Sequence, residues 1–229
     1  ADKWASFDVN LTNVTALIDG EIRRYDLRKL YHIHRVYEVK RQRIQKLSKI
    51  KPLTSKKLLK KYSRREKSRA KDFMHKLTAS IARELKEKNC GAILENLKGV
   101  KRRILNGSKK MNRKLSKWNA RTFQFMLEKL KWLNLPVNVD PKNSSKVCPL
   151  CSGSMASYGG RIMKCEKCNV ILDRDATAVL NLQMRGEGFP QRAPNELIEG
   201  EELCMSIKDY VAQNPRIKYP SNYPPPYCG

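Results

Sequence analysis

The chain has 229 residues and a formal net charge of +26, from 48 Lys+Arg against 22 Asp+Glu. It contains no run of 18 apolar residues, so a membrane-spanning helix is excluded. A charge this large points to a polyanionic partner, most simply nucleic acid. A thermophile-like charged surface would mix both signs into networks. Here residues 40–71 carry 15 Lys/Arg against the single acid Glu66, and residues 96–127 carry 10 Lys/Arg and no acid.

In chain order, the opening "ADKWASFDVN" reads as a strand, with no signal peptide and no initiator Met, and a chain that opens inside a strand is expected to be a fragment of something longer. Alternating or apolar, Val/Ile-rich patterning predicts three short strands at about 4–10, 13–18 and 21–26, with Asp19-Gly20 as a hairpin turn. Two long basic helices are predicted at about 29–49 and 55–89, broken near Pro52. Phe73, Leu77, Ile81 and Leu85 give the second an apolar face and leave its basic residues outside. "CGAILENL" (90–97) reads as a buried strand and "KGVKRRILNGSKK" as a basic loop. A helix is expected over about 113–134, with Phe123, Met126, Leu127 and Leu130 as its core stripe, and "LPVNVD" as a strand. The Cys-rich segment 146–170 precedes a helix at about 174–186. Residues 187–229 hold 7 of the 11 prolines and 4 Lys/Arg against 6 Asp/Glu, which predicts a partly disordered extension.

Seven cysteines are present, an odd number, and four fall into two tight pairs. Cys148-x2-Cys151 and Cys165-x2-Cys168, with Gly153, Gly159 and Gly160 between them, predict a zinc ribbon in which two turns aim four thiolates at one ion. Four thiolates leave no open position, so one structural zinc is expected rather than a catalytic one. Cys90, Cys204 and Cys228 lack such spacing, and Cys90 reads as a small core residue.

Three acids stand where acids are costly. Asp8 lies mid-strand in "SFDVN", with Ser6 and Asn10 on its own face, and Glu95 ends the apolar strand "AILEN". Taken singly, each is explained by an ion pair with an abundant Lys or Arg. Asp175 starts a helix, where capping explains it, and Asp173 can cap equally well. Taken together, two strand-borne acids and one at a helix start can converge at a sheet edge. Such a cluster binds two magnesium ions that act on a phosphodiester. That reading makes the chain a nuclease or polynucleotidyl transferase.

Residues 4–186 resemble the C-terminal part of the TnpB (OrfB) family of insertion-sequence proteins, which are related to type V CRISPR effectors. "SFDVNLTNVTALIDG" resembles the first RuvC motif, with Asp8 as its Asp, and "ILENLKG" the second, with Glu95 as its Glu. "ARTFQFMLEKLKWLNLPVNVDPKNSSKVCPLC" resembles the family stretch leading into the ribbon, and "LDRDATAVLNL" the third motif. Matched to that motif, Asp175 is the metal-binding acid and Asp173 the helix cap. The resemblance implies an α/β, RNase H-like (RuvC) mixed sheet flanked by long basic helices, with the ribbon inserted beside the active site. Taken with the composition of the tail, which is not typical of the family, it divides the chain into a first RuvC part (1–145), the ribbon (146–171), the last RuvC helix (172–186) and the proline-rich extension (187–229). It implies an RNA-guided, magnesium-dependent DNA endonuclease of a transposable element. Its partners would be target DNA and a guide RNA, in a bacterial or archaeal cytoplasm at the nucleoid. The alternatives are a catalytically silent zinc-ribbon nucleic-acid-binding protein and a strand-joining transposase. Departures from the family pattern are Ser6 and Asn10 for glycines around the first Asp, Thr177 for the Asn of the third motif, and Ser152 and Asn169 for the glycine after each Cys pair. None removes a metal ligand.

Overall fold

The computed structural model describes residues 3–97, 107–128 and 137–188. The first three strands, β1 (Lys3–Val9), β2 (Asn13–Ile18) and β3 (Glu21–Asp26), form an antiparallel meander. The β2–β3 turn is the predicted one: Asp19 and Gly20 both take positive φ, at 50° and 79°, which suits the twist of the flanking strands. Two helices follow, α1 (Arg28–Leu47) and α2 (Pro52–Glu87). Pro52 occupies the first turn of α2, where its missing N–H has no helical acceptor to serve. The chain then returns as β4 (Cys90–Glu95) beside β1 and parallel to it, and β5 (Val137–Val139) adds in parallel to β4. The result is a mixed five-stranded sheet of order β3-β2-β1-β4-β5.

Strand parity sorts the side chains onto two faces. On one face Ala5, Phe7, Val9, Val14, Ala16, Ile18, Ala92 and Leu94 meet Met74, Ile81 and Leu85 of α2. On the other, Leu17 and Ile22 meet the last helix, α5 (Arg174–Gly186), through Ala176, Val179 and Leu180, and Ile93 meets it through Leu182. Ser6 faces α5, fully buried, and its hydroxyl donates to the Val179 carbonyl at 2.6 Å. A small hydroxyl therefore bonds α5 directly onto β1.

The helix expected over 113–134 is divided. α3 (Lys109–Leu115) begins on a Ser108 cap, inside the segment read as a basic loop, and α4 (Ala120–Glu128) begins after a break. The residues of the break make tertiary bonds that a continuous helix would forfeit. Trp118 Nε1 donates to the Val9 carbonyl at 2.7 Å, Lys117 Nζ pairs with Glu38 at 2.9 Å, and Asn119 bonds His34 at 3.0 Å. Phe123, Met126 and Leu127 are buried as expected, with Phe123 tilted against Phe7 at a centroid distance of 5.9 Å. Leu130, the outer part of the basic loop and the extension from 189 onward lie outside the described residues.

The Cys-rich segment forms a separate antiparallel sheet, β6 (Met155–Gly159), β7 (Ile162–Cys165) and β8 (Ile171–Asp173), and β8 runs directly into α5. No helix among the described residues is long and apolar enough to cross a membrane.

Candidate functional site

The four paired cysteines come together. Their sulfurs all lie within 4.8 Å of one another, with Cys148···Cys168 at 3.6 Å and Cys151···Cys165 at 3.4 Å. Tetrahedral Zn–S bonds of about 2.3 Å place sulfurs roughly 3.8 Å apart, so the set fits one zinc ion. The turns that present these sulfurs need left-handed backbone: Ser152 has φ 56° and Asn169 φ 58°. A glycine is the easiest residue there, and Asn tolerates the conformation better than most. Two backbone amides, of Lys167 and Cys168, point at Cys165 Sγ at 3.4 Å each. Burial pushes the Cys148 thiol well up and the Cys151 thiol to about 11, so an arriving metal must displace protons.

The three acids reach the sheet edge from separate elements. β1 and β4 run parallel with Ser6 opposite Ile93 and Phe7 opposite Leu94; one step further along lie Asp8 and Glu95. Both therefore stand at the carboxyl ends of parallel strands, on the face covered by α5, where open α/β sheets bind ligands. Asp175, in the first turn of α5, completes the group. Asp8, Glu95 and Asp175 line one cavity of about 220 Å³ together with Asn10, Arg174, Ser144 and Ser145.

Electrostatics distinguish the acids. Asp8 is pushed up from 3.8 to about 6, first by burial and then by the charge of Asp175, and the hydrogen bond from Asn10 at 2.9 Å only partly offsets this. Glu95 is pushed up from 4.5 to about 8, by burial and by the charge of Asp8. Burial is the larger cause for both acids, and for Asp8 the nearby Arg161 and Arg174 guanidinium groups offset it only in part. Among the described residues, the four cysteines are the one group whose ligand atoms already lie within 4.8 Å of one another. Asp175 is better compensated: Arg161 bonds its Oδ1, and Asn13 and Arg24 approach Oδ2 at 3.4 and 3.8 Å.

Asp173 has a different surrounding. Its Oδ1 accepts the backbone N–H groups of Asp175 at 2.8 Å and Ala176 at 3.2 Å, which is the geometry of an N-cap. The same oxygen takes Arg24 at 2.7 Å. It is not among the residues lining the cavity. Sequence reading did not single out Arg24, Arg161 or Arg174. Asn10 was placed on the face of Asp8 and noted as a departure from a family glycine, but its hydrogen bond to the Asp8 carboxylate was not foreseen.

The fold and the site define a mixed α/β sheet domain with a four-cysteine ribbon inserted before its last helix. Residues 120–182 match the family model described as Cas12f1-like, TNB domain. Over 185 residues the chain is 37% identical to TnpB-like protein MJ0751 of Methanocaldococcus jannaschii, covering 77% of this chain and 66% of that protein. TnpB-like protein MJ0012 of the same organism is 33% identical over 161 residues, covering 69% of this chain and 72% of that protein. In structure the chain is similar to the protein in a cryo-EM Cas12f1-sgRNA-target DNA complex, with a TM-score of 0.59, 22% identity, and coverage of 79% of this chain and 49% of that one. The chain belongs to the TnpB-like family, related to the type V effectors. It spans just under two thirds of MJ0751 and about half of the Cas12f1 chain.

Proposed function

We propose that this chain carries the nuclease centre of a RuvC-like, magnesium-dependent DNA endonuclease. In its complete form the protein would act with a guide RNA on target DNA in the host cytoplasm, at the nucleoid. The observation that carries the reading is the meeting of Asp8, Glu95 and Asp175, from three distant parts of the chain, in one cavity at the carboxyl ends of parallel strands. A mixed five-stranded sheet of order β3-β2-β1-β4-β5 with helices on both faces supports an RNase H-like assignment.

In this reading Asp8, Glu95 and Asp175 hold magnesium, which when bound would activate water and stabilise the leaving oxygen of a phosphodiester. Asn10 fixes the Asp8 carboxylate from one side. Arg174 lines the cavity and is placed to meet a phosphate oxygen. Arg24 and Arg161 neutralise Asp175 until cations arrive. Asp173 holds the start of α5 and so sets the position of Asp175. The ribbon, closed by one structural zinc on Cys148, Cys151, Cys165 and Cys168, presents Arg161 from its hairpin and feeds β8 into α5.

The test is magnesium-dependent cleavage by the complete protein carrying its RNA. Asp8→Asn, Glu95→Gln and Asp175→Asn should each abolish cleavage and leave DNA binding intact. Cleavage that survives all three overturns the assignment, and strand-joined products would instead favour a transposase.

A further inference from the structure

The α1–α2 hairpin carries a second feature that the nuclease centre does not use. From Val39 to Arg65 the chain holds 12 Lys/Arg and no acid. At the tip of this basic arm three large apolar side chains face solvent: Leu47 is 42% exposed, Ile50 77% and Leu53 76%. Lys46, Lys49, Lys51, Lys56 and Lys57 stand around them, all exposed. The tip is ordered by its own bonds. Ser55, buried, donates to the Ile44 carbonyl at 3.0 Å and ties the start of α2 to the end of α1. Lys51 and Ile50 donate their backbone N–H groups to the Leu47 carbonyl at 2.8 and 3.1 Å.

The tip also stands away from the sheet. Between Ser55 and Ala70 no residue of α2 is fully buried. At 1.5 Å per residue the tip lies about 25 Å beyond the point where α2 enters the core. Three large apolar side chains exposed together on a strongly basic tip offer a contact surface, but they supply only a small part of the ~800 Å² per partner that a stable protein interface buries. A second copy would bring an equally basic tip against this one. A polyanion matches the lysines, and Leu or Ile side chains set among phosphate-binding lysines are suited to entering a base step.

We propose that the α1–α2 tip is a duplex-DNA wedge. Lys46, Lys49, Lys51, Lys56 and Lys57 take phosphates on either side of a base step, and Leu47, Ile50 and Leu53 press into the stack between them. The proposal rests on the reading that this chain binds nucleic acid.

The experiment measures binding of the chain to a short random duplex bearing 2-aminopurine at several positions, by anisotropy and by 2-aminopurine fluorescence, at several salt concentrations. The unmodified chain should raise the fluorescence at saturation, because unstacked 2-aminopurine is brighter. Ile50→Ser with Leu53→Ser should bind about tenfold more weakly with an unchanged salt slope, and lose the rise. Lys49→Gln with Lys51→Gln should lower the salt slope by about 2 and keep the rise at saturation. All four positions are exposed, and thermal melts of the variants should match the parent. A serine variant that keeps both affinity and the fluorescence rise overturns the wedge while leaving nucleic-acid binding intact. An unmodified chain that binds no duplex overturns the underlying reading and the wedge with it.

Discussion

Asp173 and Asp175 are two residues apart and have different surroundings because one lies before the first turn of α5 and the other inside it. Asp173→Ala removes the acceptor for two backbone N–H groups and the partner of Arg24. It should cost about 0.5–2 kcal/mol of stability, read as a lower melting temperature. Asp175→Asn should abolish magnesium binding, and any cost in stability should come from the lost Arg161 ion pair and not from a lost cap. Equal loss of metal binding at both positions would contradict the division of roles. Asp8 and Glu95 predict a pH dependence of the metal-free protein. Their folded-state values, about 6 and about 8, lie above the ordinary 3.8 and 4.5, so the folded form binds more protons between those limits. Their contribution is therefore unfavourable at pH 8 and is relieved as pH falls through about 8 and then about 6. Asp8→Asn with Glu95→Gln should raise the melting temperature at pH 8 without metal and flatten its pH profile. Magnesium should stabilise the parent at pH 8, and that gain should vanish near pH 5 as protons compete. An unchanged melting temperature on adding magnesium at pH 8 would rule out a cation site there.

At the scale of elements, the ribbon and α5 act as a unit because β8 ends in the cap of α5 and the Arg161 carbonyl accepts the Arg174 N–H at 2.7 Å. One zinc per chain should be seen by native mass spectrometry. Ser at any of Cys148, Cys151, Cys165 or Cys168 should lose that zinc and loosen the ribbon, since metal binding and local folding are coupled. The change should extend to the carboxylates: without a closed ribbon, Arg161 is no longer held against Asp175, and magnesium affinity should change along with zinc content. Zinc removal that leaves a folded ribbon and an unchanged magnesium titration would separate the two sites.

The strands, the hairpin turn, both long helices and α5 were legible in the sequence, because alternation, Asp19-Gly20, Pro52 and the Asp173 cap are local signals. Asp8 and Glu95 were legible for a related reason: a carboxylate in an apolar strand is costly unless something compensates it. The break at Ser116–Asn119 was not legible. Trp118, Lys117 and Asn119 leave the helix for partners 109, 79 and 85 residues away, and no local pattern records that exchange. Arg161 was hidden likewise, since its value comes from the way the β6–β7 hairpin folds back over the first turn of α5.

On the scale of the whole molecule, Asp8, Glu95 and Asp175 share one small cavity while the cations are spread along α1, α2 and α3. This division suits a protein that grips a polyanion broadly and acts on it at one point. Phosphate contacts of this kind position a duplex without reading its bases. The chain as it stands should therefore bind duplex and single-stranded nucleic acid with little sequence preference. Each phosphate neutralised releases counterions, so affinity should fall by about 10³ or more between 50 and 200 mM salt if six or more contacts form. The competing possibility is that the lysines are a solvated face only, which would give weak binding with a shallow salt response. Charge reversal separates the two: Lys56→Glu with Lys57→Glu, on an exposed part of α2, should weaken binding to every sequence alike and reduce the salt slope. A flat salt response by the parent, or tight binding to one base sequence by this chain alone, would mean that the basic helices read something other than phosphate.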